Sequence, residues 1–258
     1  MIPNLFAVLS SGPLERPGGD LFREMPGVGS HEVVIESRRH NARFGDMRPA
    51  DVARVIAVWR RRYRDLMDHP EIRAVVVFKN YGPLAGTSLP HAHSQIVAAP
   101  VFLPRLLRRL DVATHYFNDH ESCVYDDVLA GELEAKERLV YENEGFVAFE
   151  PFASASPFET WILPRRHGSS FGGLRDDELD LLAAALLGVT RALSAAHQDP
   201  DWNLIVYSAP TESHEGVFHW HIKIVPRLTT AAGFELGSGM GINTVAPEDA
   251  AAALRHAI

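Results

Sequence analysis

His91, His93 and Gln95 stand two apart in the segment Pro90-His-Ala-His-Ser-Gln95. On an extended strand side chains alternate between faces, so this spacing sets two imidazoles and a carboxamide side by side. An imidazole can act as nucleophile and proton carrier near neutral pH, whereas a carboxamide donates hydrogen bonds but no proton. Just upstream, Asn80-Tyr-Gly-Pro-Leu-Ala-Gly-Thr-Ser-Leu-Pro90 is a loop of small residues with glycines at Gly82 and Gly86. Such a loop lets backbone N–H groups and the Thr87 and Ser88 hydroxyls approach an anion closely. A nucleophilic imidazole beside a phosphate cradle is what phosphoryl or nucleotidyl transfer needs, because the protein's work there is positioning and charge stabilisation. A His-x-His on a strand is by itself more often structural, or a pair of metal ligands. The loop, the order of the parts and their setting in a duplicated unit together favour transfer.

The elements that must position these residues occur twice. Glu32, Ile35, Arg38-Arg39-His40 and Phe44-Gly45 match Glu159, Ile162, Arg165-Arg166-His167 and Phe171-Gly172 at a constant offset of 127, and His91-Ala-His93 meets His219-Trp-His221 at 128. In the first copy, residues 32–37 read as a strand. A helix follows over 50–68, with Val52, Val55, Ile56, Trp59, Tyr63 and Leu66 on one face and Pro49 suited to its first turn. Strands at 73–79 and 91–98 flank the loop. The second copy repeats the order: strands at 146–150 and 158–163, a helix marked by Leu179, Leu182, Leu186, Val189 and Leu193, then strands at 203–208 and 217–225. The pattern predicts an α+β fold of two pseudo-equivalent halves, 1–118 and 119–258, each with an antiparallel sheet and helices. The expected boundary is the polar stretch 118–121, after a helix at 104–117.

Composition narrows the class. Hydrophobic residues make up 46% and charged residues 22%, ordinary for a globular enzyme with a sizeable core. A net charge of -8 argues against a partner that is a nucleic-acid backbone, which needs an excess of Lys and Arg. The single cysteine, Cys123, rules out an internal disulfide and fits a reducing, cytoplasmic setting. The start of the chain lacks a basic and apolar leader, and no uninterrupted apolar run suggests a membrane span, so neither export nor a membrane partner is expected.

At Asn80–Gln95 the chain resembles the galactose-1-phosphate uridylyltransferase family, whose signature runs Asn, a Gly-containing loop, Ser, then His-Pro-His-[Gly/Ser]-Gln. Phe146-Val-Ala-Phe-Glu-Pro151, Ser156–His167 and His219–Pro226 are similar to that family's second half, and Pro3-Asn-Leu-Phe-Ala7 to its first strand. The resemblance implies a HIT-like fold and ping-pong nucleotidyl transfer between a nucleotide sugar and a sugar 1-phosphate. It implies His93 as the nucleophile, with His91 in support through a backbone carbonyl that fixes the His93 tautomer. Gln95 would hold the phosphoryl oxygen; related hydrolases carry histidine there, so glutamine marks transfer. Asn80 and Ser88, with Gly86 and Thr87 of the loop, would contact phosphate, and Asn4 would line the nucleoside pocket. Homodimers are usual in the family.

Departures from the pattern matter as much. The family's structural zinc joins two cysteines upstream to histidines that correspond to His40 and His91, and no cysteine is present to join them. These two, with His31 as a third, are weak metal candidates, and no zinc or other cofactor is expected. Cys123-Val-Tyr-Asp126 resembles the relic of a cysteine pair in the second half. A second metal of some members is also not expected, because the corresponding histidine falls on Leu204 or Tyr207. The front segment that helps recognise sugar phosphate in the family is not matched, which leaves hexose-phosphate specificity open.

Glu159, His219, His221 and Glu235 are candidates for the substrate rim; Lys223 follows His221 where Gln95 follows His93, which breaks the nucleophile pattern. Arg60-Arg-Arg-Tyr-Arg64 reads as a solvated helix face, Glu159 as a solvated strand end, and Trp59, Trp161, Trp202 and Trp220 as core or interface. Competing functions are an adenylyltransferase or phosphorylase acting on ADP-sugar, adenylyl sulfate or a dinucleoside polyphosphate, a hydrolase, and a nucleotide-binding protein without turnover.

Overall fold

The computed structural model describes residues 1–13, 21–22, 24–40, 42–210 and 214–257. Strands rich in β-branched and aromatic residues join into one antiparallel sheet of nine. They are β1 (Ile2–Pro3), β2 (Ser30–Ile35), β3 (Ala74–Tyr81), β4 (His93–Ala99), β5 (Leu139–Glu142), β6 (Phe146–Phe149), β7 (Thr160–Pro164), β8 (Trp202–Tyr207) and β9 (His221–Pro226). Their order across the sheet is β1-β2-β4-β3-β8-β9-β7-β6-β5. The central run, β2-β4-β3 against β8-β9-β7, is the same motif read in opposite directions, so the fold is α+β, HIT-like and duplicated. Phe78 of β3 pairs directly with Ile205 of β8, and each also pairs within its own half, with Gln95 and Lys223. A pseudo-twofold axis therefore passes through the β3–β8 seam.

Register corrects one detail of the repeat. Val33 pairs with Gln95 and Trp161 with Lys223, so β2 and β7 superpose at an offset of 128. The Glu32/Glu159 and Ile35/Ile162 identities are thus one residue out of structural step. The offset returns to 127 in β3 and β8.

Helices α1 (Pro49–Met67) and α4 (Leu179–His197) are the matched pair, each 19 residues long. Both begin on a Pro- or Glu-led first turn and bury one apolar face; in α1 it consists of the six residues read from periodicity, plus Ala53. They pack on each other and on the face of the sheet that carries Val34, Val77, Ile96, Ile162, Ile222 and Ile224. On the opposite face, α2 (Pro104–His120) and α3 (Val124–Ala135) cover the second-half strands, burying Leu106, Leu110 and Leu129 with Val147, Phe149 and Leu163. α5 (Gly233–Ser238) is exposed, while α6 (Pro247–His256) buries Ala250, Ala251 and Leu254. Strand β5 and helices α3, α5 and α6 were not anticipated from the pattern, being short or weakly amphipathic.

Two sequence expectations change. Extended by its leading turn to Asp176–His197, α4 is long and apolar enough to cross a membrane by length and composition, but half of that window is buried within the fold. Arg191 and Asp180 break the run, so the unbroken apolar stretch that was sought misses it. Arg60–Arg64 is not simply a solvated face. Arg60 and Arg64 donate to the Leu174 and Gly172 carbonyls, Arg62 pairs with Glu32, and Tyr63 is buried with its hydroxyl 2.7 Å from Ser208 Oγ. Charged helix residues here staple α1 to the neighbouring turn and strand. All four tryptophans lie in packed surroundings, with Trp59, Trp202 and Trp220 fully buried.

We propose that halves 1–118 and 119–258 are units of duplication and not of folding, because they share a sheet and the α1–α4 core. Trp202 sits at the seam, stacked on Tyr81 with ring centroids 4.9 Å apart and edge-on to Phe44 at 5.9 Å. Trp202→Ala should cost about 3–5 kcal/mol and move a single urea transition as one. Two transitions, only one of them shifted, would show independent halves.

Candidate active site

The loop between β3 and β4 and the start of β4 build the candidate site. His93 opens β4 and is largely buried, yet it lines a cavity together with Asn80, Gly82, Thr87, Ser88 and His91. Its Nδ1–H donates to the His91 carbonyl at 2.8 Å. That commitment leaves Nε2 as the unprotonated nitrogen of the neutral ring, the one with a lone pair to offer. Gln95 follows on the same face, away from α1, because the intervening Ser94 turns inward to accept the Trp59 indole N–H at 2.7 Å. His91 stands before β4 instead of within it, and its Nε2–H donates to the Ser37 carbonyl at 2.7 Å.

The loop is shaped from the far side of the seam. Asn203 of β8 donates to Asn80 Oδ1 at 2.8 Å and to the Ala85 carbonyl at 2.9 Å, and Asp201 accepts the Leu84 N–H. Gly82 has φ +86°, and a Cβ there would come within 1.9 Å of the Asp201 carboxylate, so only glycine lets the loop close on its anchor. Gly86, at φ +85°, ends the short 3-10 turn Pro83–Ala85 in the left-handed region. Of the loop's predicted phosphate contacts, Asn80, Thr87 and Ser88 line the cavity; Gly86 shapes the turn behind them. Asn4 is not in the cavity wall and reaches the site only through His31, to which it is hydrogen-bonded.

Beneath His93 lies an ion pair that the sequence reading missed. Lys79 Nζ donates to Glu36 at 2.6 Å and to the His93 carbonyl at 2.9 Å, with both side chains essentially buried. Val75, Val77 and Lys79 share the helix-facing side of β3, so a cation at the third position could have been noticed as out of pattern. Asp199 and Asp201 carried no spacing signal, because they meet the loop only through tertiary structure.

The second half holds the pseudo-equivalent site in altered form. His221 is fully buried and donates Nδ1–H to the His219 carbonyl at 3.0 Å, copying the His93 geometry. Its ring, however, is stacked on Trp161 and Tyr207, and Arg109 of α2 lies over Tyr207 at 4.2 Å. Burial, then the Arg109 charge, pushes the His221 imidazole well below its ordinary range. Glu159 is buried, not a solvated strand end: it binds Lys223 at 2.6 Å and the Trp161 indole at 3.0 Å. With an ammonium on Glu159 and a guanidinium beside His221, these residues do not fit a second metal. None of Glu159, His219, His221 or Glu235 lines the His93 cavity, so the structure does not gather the predicted rim there. Glu235 caps α5 instead, accepting the Ala232 N–H.

The family's structural zinc does not fit the first half either. His40 and His91 meet Nδ1 to Nδ1 at 3.2 Å, but two imidazoles without a thiolate fall short of a closed tetrahedral site. The pseudo-equivalent pair is His167 and His219. There Cys123, Asp126 and His167 place ligand-type atoms within 4.8 Å of one another, which makes this the group that could hold a metal ion among the described residues. As it stands the cluster is hydrogen-bonded: His167 and His219 donate to the two Asp126 oxygens at 2.7 and 2.6 Å. Burial would raise the Asp126 carboxyl, but the His219 contact, and then His167, outweigh it and hold it below its ordinary value.

A duplicated HIT-like sheet with one intact His-x-His-x-Gln strand beside a small-residue loop defines a nucleotidyltransferase. Models of the galactose-1-phosphate uridyl transferase N-terminal and C-terminal domains match residues 10–102 and 109–255. The chain belongs to the galactose-1-phosphate uridylyltransferase family. It is 35% identical to an ADP-glucose phosphorylase of Arabidopsis thaliana, over 99% of this chain and 73% of that one. It is 32% identical to the galactose-1-phosphate uridylyltransferase of Thermotoga maritima, over 91% and 76% respectively. Among solved structures, an Arabidopsis ADP-glucose phosphorylase with bound ADP-glucose gives a TM-score of 0.88 at 33% identity, covering 98% of this chain and 80% of that one. A uridylyltransferase gives 0.92 at 29%, covering 99% and 83%.

The buried pair sets a stability test. Lys79→Met leaves the Glu36 carboxylate buried without its partner and should destabilise by about 3–5 kcal/mol, whereas Lys79→Met with Glu36→Leu should recover most of that loss. Urea midpoints measure both. Equal losses in the single and double variants would mean that Lys79 matters through packing and not charge.

Proposed function

We propose that the protein transfers a nucleoside monophosphate between a nucleotide sugar and a phosphate acceptor through a covalent His93 intermediate. The observation that carries this reading is the His93 ring itself, whose Nδ1 is held by the His91 carbonyl inside a cavity lined by Asn80, Thr87 and Ser88. In the first step Nε2 attacks the α-phosphorus; a P–N bond forms and the P–O bond to the departing sugar phosphate breaks. That leaving group departs as a phosphate anion and needs no proton, so no general acid is required. In the second step an acceptor phosphate oxygen attacks the same phosphorus and the P–N bond breaks, restoring His93. Gln95 donates to the phosphoryl oxygen throughout, and its amide has no proton with which to assist water.

The leading substrates are a UDP-sugar and a hexose 1-phosphate, as in galactose metabolism. A second reading is an ADP-sugar phosphorylase with inorganic phosphate as acceptor, supported by the 35% identity to the Arabidopsis enzyme across nearly all of this chain. Cytoplasmic placement and a homodimer belong to the same proposal. The free Cys123 supports the first, and exposed Leu5, Phe6, Phe234 and Leu236 offer apolar area for the second.

Incubation with UDP-glucose or ADP-glucose should add one nucleoside monophosphate to the intact mass, and the nucleotide that labels faster names the base. His93→Gly should abolish labelling and lower transfer by at least about a thousandfold, as loss of a covalent nucleophile does, with the fold retained. Full labelling of that variant would remove His93 from the reaction. Gln95→His should raise nucleotide release to water relative to transfer; an unchanged partition would separate Gln95 from that choice.

A further inference from the structure

The Gln95 carboxamide has an accepting end and a donating end, and only the NH2 end can bond a phosphoryl oxygen. Turned over, the same side chain would set oxygen against oxygen. Gln95 therefore needs something to fix which end faces the site, and β2 supplies it. Val33 pairs with Gln95 and His31 with Val97, so His31 is the diagonal neighbour of Gln95 on the same sheet face. His31 Nε2 lies 2.8 Å from Gln95 Oε1, and the ring is buried.

The ring's other nitrogen decides the direction of that bond. The Val8 peptide N–H points at His31 Nδ1 at 3.2 Å. A peptide N–H can only donate, so Nδ1 accepts, and the hydrogen of the neutral ring is on Nε2. Nε2–H then donates to Gln95, which must present its oxygen to His31 and keep its NH2 free for the substrate. Asn4 holds the same ring from the side. Its Oδ1 accepts the Phe6 N–H at 2.9 Å, which turns its NH2 toward the ring, and its own N–H bonds the His31 carbonyl. With the ring hydrogen on Nε2, that NH2 donates to Nδ1 at 3.4 Å, and its 3.0 Å approach to Nε2 is a contact between two donors and not a hydrogen bond.

We infer that His31, with its tautomer set by the Val8 backbone, is the positioning residue that orients the Gln95 amide for nucleotidyl transfer. This rests on the role proposed for Gln95 above. It also gives the segment Asn4–Val8 a part in the proposed chemistry without contact to substrate: the chain folds back on His31, His31 holds Gln95, and Gln95 stands two residues beyond His93 on the same face of β4.

Two measurements test the inference. Nitrogen-15 NMR of the wild-type protein should show His31 as the Nε2–H tautomer, and the Gln95 side-chain amide, identified by its loss in Gln95→Ala, should shift in His31→Leu but stay close to wild type in His31→Gln. In single-turnover nucleotidylation, His31→Leu should be slower by about tenfold at saturating donor, the worth of one hydrogen bond, with KM little changed. His31→Gln, which can still donate, should recover most of the rate. In a Gln95→Ala background the His31→Leu change should cost nothing further, because it acts only through Gln95. An Nδ1–H tautomer, or the same loss with and without Gln95, would overturn the inference. If His31→Leu does not fold, the tautomer and the His31→Gln spectrum still decide. Should the wild type fail to label at all, the His93 reading fails, and the NMR result still judges the His31–Gln95 bond separately.

Discussion

Everything at the site depends on the backbone pairing of β3 with β8 at Phe78 and Ile205. It joins the two copies into one sheet, and it delivers residues from one copy to the loop of the other. Asp201 and Asn203, which hold the loop at Leu84, Ala85 and Asn80, belong to the second half, while His93 belongs to the first. A loop this rich in small residues has little side-chain packing of its own. Its own turn bonds, from the Ala85 and Thr87 N–H groups to the Gly82 carbonyl, fix part of its shape, and the seam supplies the hydrogen bonds that anchor it. The same pairing brings α1 against α4, so the core under His93 also draws on both copies.

Duplication supplies two equivalent strand faces, and the structure uses them differently. On the second-half face, α2 and α3 close over the sheet, His221 is walled in by aromatic rings, and Arg109 sits against it. A charge on that imidazole would be opposed first by burial and then by the guanidinium, so the counterpart of His93 serves as a packing element. Among the described residues no aromatic ring stacks on His93, which lines a cavity instead. One geometric device, a ring Nδ1 held by the carbonyl two residues earlier, stands against a cavity in one copy and inside a packed core in the other.

Sequence made the repeat, the main strands, α1, α4 and the His93 loop legible, since each rests on local periodicity or on adjacent residues. Long-range partners were not legible. His31 drew notice only as a metal candidate, and its bond to Gln95 follows from strand register, which no spacing within β2 reveals. Glu159 looked like a solvated strand end because its partner, Lys223, lies 64 positions away along the chain. The one-residue slip of β2 against β7 was hidden for a related reason: matching residue types need not match strand positions, and with a side-chain period of two one residue changes the face. The rim residues were drawn from a resemblance to a family and not from anything local, and the His93 cavity does not gather them.

The charges around the cavity set how an acidic protein would meet the phosphates of the proposed substrates. Lys79 is neutralised by Glu36 and spends a hydrogen bond on the His93 carbonyl, so it supports the strand more than it attracts a ligand. Arg43 is paired with Asp199, which also accepts the Tyr81 hydroxyl. Asp201 is occupied by a loop N–H and guarded by Gly82. What is left on the cavity wall is mainly neutral: the Thr87 and Ser88 hydroxyls, the Asn80 amide and the His91 and His93 rings, with Gln95 outside that wall, farther along β4. In the proposed transfer, such a set would bind a diphosphate less tightly than a cluster of lysines and would leave the departing phosphate free to go. For a reaction whose two half-steps mirror each other, with a phosphate expelled in one and admitted in the next, a neutral cradle stabilises both anions alike and traps neither.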